Sequence, residues 1–189
     1  MPSHSSTDNL SIRKMDVNWD EVAKNDTLNE DLIRSFQNVL DWSLVSRYQK
    51  LSEPFIAEYK DKVDWEYISA YQKLSENFIR AYSDKINWEY VSRHQTLSEG
   101  FLLEFKLKLN WKNISRHQNL SDKFIIDNVH LLNMKEVSRY QILTEDTIEQ
   151  LLDVVDWNEI FRYQKLSEKF VTEHIHLIND CDTVLNTKL

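Results

Sequence analysis

One phrase, written seven times at a fixed spacing of 23 residues, constrains this chain more than any other feature. It reads Asx-Trp-x-x-Val/Ile-Ser-Arg-Tyr/His-Gln-x-Leu-Ser-Glu-x-Phe-Ile, followed by a mixed stretch that ends in Val, Ile or Leu. The repeats begin at Asn18, Asp41, Asp64, Asn87, Asn110, Asn133 and Asp156, with no insertion or deletion. Below, the Asx is position 1 of each repeat. A short unit returning at a constant period cannot bury its apolar face alone, so it stacks on its neighbours as a solenoid.

Each repeat carries two helix-start signals. Asx precedes Trp (Met in the sixth repeat) at position 1, and Ser, Thr or Asn precedes an acidic residue at positions 12 and 13. Such side chains cap helices by accepting an orphan backbone N–H. The acid that follows (Glu30, Glu53, Glu76, Glu99, Asp122, Glu145, Glu168) suits the positive end of the helix dipole. Pro54 sits in such a first turn, where a missing N–H does no harm. Trp, Val/Ile, Ser and Gln share one face of the first helix, and Phe, Ile and later apolar residues form a stripe on the second. The pattern predicts two helices of roughly eight to ten residues per repeat, stacked into a rod or shallow superhelix roughly 60–70 Å long. A leucine-rich repeat has a similar period, but its Leu-x-x-Leu-x-Leu strand is absent and two helix caps stand instead. The fold class is all-α, an α-solenoid of seven two-helix repeats over 18–178, with a flexible segment at 1–17 and a C-terminal cap at 179–189.

Composition narrows the function. The formal charge of −8 disfavours bulk attraction to nucleic acid or an anionic membrane. No apolar run approaches the roughly 18 residues of a membrane span. The first nine residues lack the apolar core of a secretory signal. The single cysteine, Cys181, rules out an intrachain disulfide and fits a reducing compartment. These observations point to the cytoplasm.

The recurring residues read first as structure. All six tryptophans hold position 2 and are expected to form a core ladder. The Gln at position 9 is placed to satisfy free backbone groups. Arg47, Arg93, Arg116, Arg139 and Arg162 form a row that Ala70 interrupts. It is either a strip for phosphates or an acidic partner, or a set of ion pairs with the position-13 acids or with a Glu one turn earlier, as between Glu89 and Arg93. His94 and His117 stand one repeat apart, about 10 Å, too far to share one zinc ion. His174, His176 and Cys181 match no compact metal-binding spacing. Without a nucleophile–base arrangement or a Gly-rich phosphate loop, the pattern points away from an enzyme and implies no cofactor and no metal.

Specificity is then expected where repeats differ, at positions 3, 4, 10, 14, 17, 18 and 21. Tyr67, Tyr90 and Leu103 are variable and apolar, and together with Arg93 and Arg116 they are the candidate partner-binding residues. Phe161 replaces the usual Ser and is a sixth candidate: residues 179–189 cover it, or it mediates self-association at the C-terminal end. The sixth repeat has Met134 for Trp and Thr147 for Phe, so its core is expected to be thinner.

The phrases Ile68–Ile79 (ISAYQKLSENFI) and Asp64–Ile68 (DWEYI) resemble helical-repeat proteins of large DNA viruses and phages, of the iridovirus and giant-virus type, sometimes labelled ankyrin-like. The resemblance spans about residues 18–178. It implies a viral or phage origin and an α-helical repeat fold, and brings no catalytic residues. The expected function is a non-enzymatic scaffold that binds another protein through its variable face. The alternatives are a structural virion component and, less favoured by charge, a nucleic-acid binder using the Arg row.

Overall fold

A computed structural model describes residues 17–178. The expected flexible start (apart from Val17) and the C-terminal cap at 179–189 lie outside the described residues. Among the described residues the chain is an all-α solenoid of fourteen short helices, two per repeat, without strands. It divides into two compact units, Met1–Asn87 and Trp88–Leu189. The first holds α1 (Trp19–Asn25), α2 (Glu30–Ser35), α3 (Trp42–Tyr48), α4 (Glu53–Glu58), α5 (Trp65–Tyr71) and α6 (Glu76–Ala81). The second holds α7 (Trp88–His94), α8 (Glu99–Glu104), α9 (Trp111–His117), α10 (Asp122–Asp127), α11 (Met134–Tyr140), α12 (Glu145–Gln150), α13 (Trp157–Tyr163) and α14 (Glu168–His174), closed by a 3-10 turn at Ile175–Leu177. Odd-numbered helices open a repeat and even-numbered ones close it. Within each unit the opening helices pack side by side: α1 on α3 on α5, and α7 on α9 on α11 on α13.

The helices are shorter than expected, seven residues for opening helices and six for most closing ones. The stop is the Gln of position 9. Gln49, Gln72, Gln118, Gln141 and Gln164 all take extended backbone angles as C-caps, turning the chain out of the helix. The starts are as the caps predict. Asp41 accepts from the backbone N–H groups of Ser43 and Leu44, and Ser121 from Phe124. Elements of under two turns do not persist alone, so packing and cross-repeat bonds must hold them.

The buried face repeats faithfully. Position 5 is fully buried from the second repeat onward (Val45, Ile68, Val91, Ile114, Val137, Ile160), as is position 16 in the first six (Ile33, Ile56, Ile79, Leu102, Ile125, Ile148). Each such side chain contributes about 1.5–3 kcal/mol on burial. The tryptophans are not part of this fully buried set. They are half-buried lids. In the second and third repeats each indole stacks on the Phe and Tyr of its own closing helix: Trp42 lies 4.8 Å from Tyr59, and Trp65 lies 5.0 Å from Tyr82. The indole N–H donates backward, from Trp42 to the Gln37 carbonyl at 3.0 Å and from Trp111 to the Lys106 carbonyl at 2.8 Å. Keeping one edge outside lets these two Trp seal the core while their N–H groups find partners, whereas the Trp19 indole nitrogen is buried without one.

Polar residues join the repeats. Gln118 Oε1 accepts from the Leu97 N–H at 3.1 Å, and its Nε2 donates to the carbonyls of Ser92 and Gln95 at 3.2 and 2.7 Å. Gln49, Gln141 and Gln164 make the same three contacts with the repeat before them. The buried Ser115 hydroxyl donates to the Trp111 carbonyl at 2.7 Å and accepts from the Asn133 N–H at 2.9 Å. Glu99 accepts from the Ser121 N–H of the next repeat at 2.7 Å. The position-13 acids Glu30, Glu53, Glu99 and Glu145 are thus engaged with the next repeat's backbone, which corrects their assignment as partners of the arginine row.

Candidate functional site

With Asx, Ser, Gln and Glu of the phrase consumed in caps and cross-repeat bonds, the Arg and Tyr/His of positions 7 and 8 remain on the surface. Both belong to the last turn of an opening helix. Position 4 lies one turn earlier and faces the same way, as residues four apart on a helix must. Tyr67 and Tyr71 have ring centroids 6.0 Å apart, and so have Tyr90 and His94.

Arg47, Arg116 and Arg139 lie against aromatic rings. In the first unit Arg47 sits 5.1 Å from the centre of Tyr48, 5.4 Å from Tyr67 and 5.5 Å from Tyr71. Tyr48 and Tyr71 are exposed, Tyr71 to 56%. These phenols, Tyr48 foremost and then Tyr71 and Tyr67, raise the Arg47 pKa further against a smaller opposing effect of desolvation. An open groove of about 570 Å³ runs beside them, lined by Arg47, Tyr48, Lys50, Tyr71 and Lys73 among others.

In the second unit the row is uninterrupted: Arg93, Arg116, Arg139 and Arg162 are all exposed. Arg116 lies 4.5 Å from the Tyr140 ring of the next repeat, and Arg139 lies 5.2 Å from Tyr140 and 4.7 Å from Tyr163. Such exposed cation–π contacts contribute about 0.5–1 kcal/mol each and hold the guanidinium in place. Two carboxylates near the end of the row sit deeper than its arginines. Glu136 is 3.8 Å from Lys112, and the buried Glu159 is 3.8 Å from Lys135 and 3.9 Å from Arg139. Partial burial depresses the pKa of both His94 and His117, with Arg93 adding to the effect at His94 and Arg116, Arg93 and His94 adding to it at His117.

The expected partner-binding residues separate. Tyr67 joins the Arg47 cluster in the first unit, and Tyr90, Arg93 and Arg116 belong to the strip of the second. Leu103 is elsewhere, exposed on the closing helix α8, near Leu107, which is 94% exposed. Phe161 does not reach the surface. It is only 1% exposed, packed on Ile178 with Trp157, Leu166, Val171 and Ile175 around it, and offers no surface for self-association. The aromatic rings of position 8 (Tyr48, Tyr71, Tyr140, Tyr163) are the members that variability missed, because they recur. Helical spacing was the signal: position 8 lies four residues beyond position 4 and off the face of positions 2, 5, 6 and 9.

His174 takes the place of the stacking aromatic in the last repeat, 5.4 Å from Trp157 and 4.3 Å from Phe170. Its ring is further held between the Phe170 carbonyl at 3.0 Å and Glu149 at 3.2 Å, a packing role rather than a ligand's. Cys181 lies outside the described residues. Among the described residues no helix is long and apolar enough to cross a membrane. No family model, curated protein or solved structure compared with the chain matches it.

Proposed function

We propose that this chain is a non-enzymatic helical-repeat scaffold that binds another protein along the Arg–Tyr/His strip of its opening helices. The observation that carries this reading is the division of labour within the phrase. Its other polar residues are occupied in holding the repeats together, whereas Arg and Tyr/His stay outside in a fixed array. Arg and Tyr are the side chains most enriched at protein interfaces. Here their geometry is set before a partner arrives, which spares the entropy of ordering them on binding. The resemblance of the repeat to those of large DNA viruses and phages supports a virus-encoded adaptor working in the host cytoplasm.

An affinity pull-down from host or infected-cell lysate, treated with nuclease, tests the reading. The expected result is one stoichiometric protein that survives nuclease and disappears with the Arg93→Ala, Arg116→Ala, Arg139→Ala variant. Recovery of proteins only when nucleic acid is intact would overturn it, and so would a partner indifferent to those substitutions.

A further inference from the structure

Resting on that scaffold reading, we infer that the partner segment is an extended acidic peptide with a carboxylate at every third residue, one for each arginine from Arg93 to Arg162. The spacing comes from the side-by-side packing of α7, α9, α11 and α13, which repeats at about 8–10 Å. Arg116 and Arg139 fit that step: they lie against the same Tyr140 ring, at 4.5 and 5.2 Å. A polyproline-II segment rises about 3.1 Å per residue with three residues per turn, so every third side chain points the same way at a step of about 9 Å. A β-strand presents same-face side chains about 7 Å apart and falls out of step after one repeat. Segments rich in acids and poor in apolar residues stay extended through their own repulsion, which makes this conformation cheap to adopt.

Charge and ring geometry agree on the class of partner. The strip is cationic on a chain whose formal charge is −8, so the attraction is local and directional. Single-stranded nucleic acid needs open aromatic faces on which bases stack. Here Tyr140 and Tyr163 are already faced by guanidinium groups. Glu136 and Glu159 do not cancel the row: Lys112 lies 3.8 Å from the first, and Lys135 and Arg139 lie 3.8 and 3.9 Å from the second, so two lysines add their charge beside the arginines.

Fluorescence anisotropy with four labelled probes tests this on the full chain. One is a twelve-residue peptide of four Glu-Pro-Ser triplets, and the second has the same composition with its four Glu contiguous. The third is a helical peptide with Glu at every seventh residue, and the fourth is a twelve-nucleotide oligothymidine. The triplet peptide is expected to bind at least about fivefold more tightly than the contiguous one and to weaken as salt is raised. Arg116→Gln and Arg139→Gln should each weaken it about two- to fivefold, the range of an exposed ion pair. Arg34→Gln, on the closing-helix side, should leave it unchanged. Equal affinity for both Glu-Pro-Ser compositions, indifference to the strip arginines, or tighter binding of the helical peptide or the oligothymidine overturns the inference. If the pull-down still yields an arginine-dependent protein while the triplet peptide fails, the scaffold reading survives and the spaced-acid partner does not.

Discussion

Gln118 shows how much of this fold rests on single side chains. It is buried and makes three hydrogen bonds to the preceding repeat: one from the Leu97 N–H and two to the carbonyls of Ser92 and Gln95. Truncation removes the partner while leaving one backbone donor and two acceptors sealed from water, and unsatisfied buried groups cost about 1–3 kcal/mol each. Gln118→Ala should therefore destabilise the chain by about 2–4 kcal/mol in urea titration, whereas Asn119→Ala, at the exposed next position, should change it by less than about 0.5 kcal/mol. A difference between the two of under about 1 kcal/mol would show that water replaces the amide without penalty. In the sequence, the recurrence of Gln marked it as structural, but its three partners could not be named. They lie between 21 and 26 residues back, beyond the reach of helical spacing.

At the scale of the element, capping was legible because it is local. The Asx and Ser/Thr residues that open helices do so through N–H groups two or three residues ahead, a distance set by the helix itself. Helix length was misjudged because the Gln side chain docks on the preceding repeat and its backbone leaves the helix there. The short closing helices make local propensity count. Gly100 occupies the first turn of α8, and a Cβ added there would meet nothing within 4 Å. Glycine costs up to about 0.5–1 kcal/mol against alanine in a helix interior. Gly100→Ala should raise the melting temperature with no change in strip binding. A lower melting temperature would mean that the neighbouring chain needs the open space.

For the molecule as a whole, stability should follow the aromatic content of each repeat. In the fourth repeat Trp88 stacks on Phe101 at 6.4 Å and Phe105 at 4.9 Å. The sixth has Met134, Thr147 and Leu151 at the same three positions, and the buried Thr147 hydroxyl turns to Thr144 at 2.8 Å. Repeats held mainly by their neighbours open according to their own burial. Amide exchange should therefore be faster across 137–150 than across 91–104, two stretches of the same unit. Uniform exchange through both would mean that the unit opens only as one.

The sequence by itself determined the period, the two helices per repeat, their caps and the apolar faces. Each depends on residues within a turn or two of one another, where backbone geometry leaves little choice. Only the tertiary structure decided what those side chains reach. It left Trp as a half-buried lid, engaged Glu with the next repeat's backbone, laid Arg against Tyr, and buried Phe161 beneath Ile178. Those outcomes join residues well beyond a helical turn apart, so they depend on how the two helices of a repeat, and one repeat and the next, lie on each other. In a chain whose neighbours are near-copies, spacing along a helix names the face, and stacking alone names the partner.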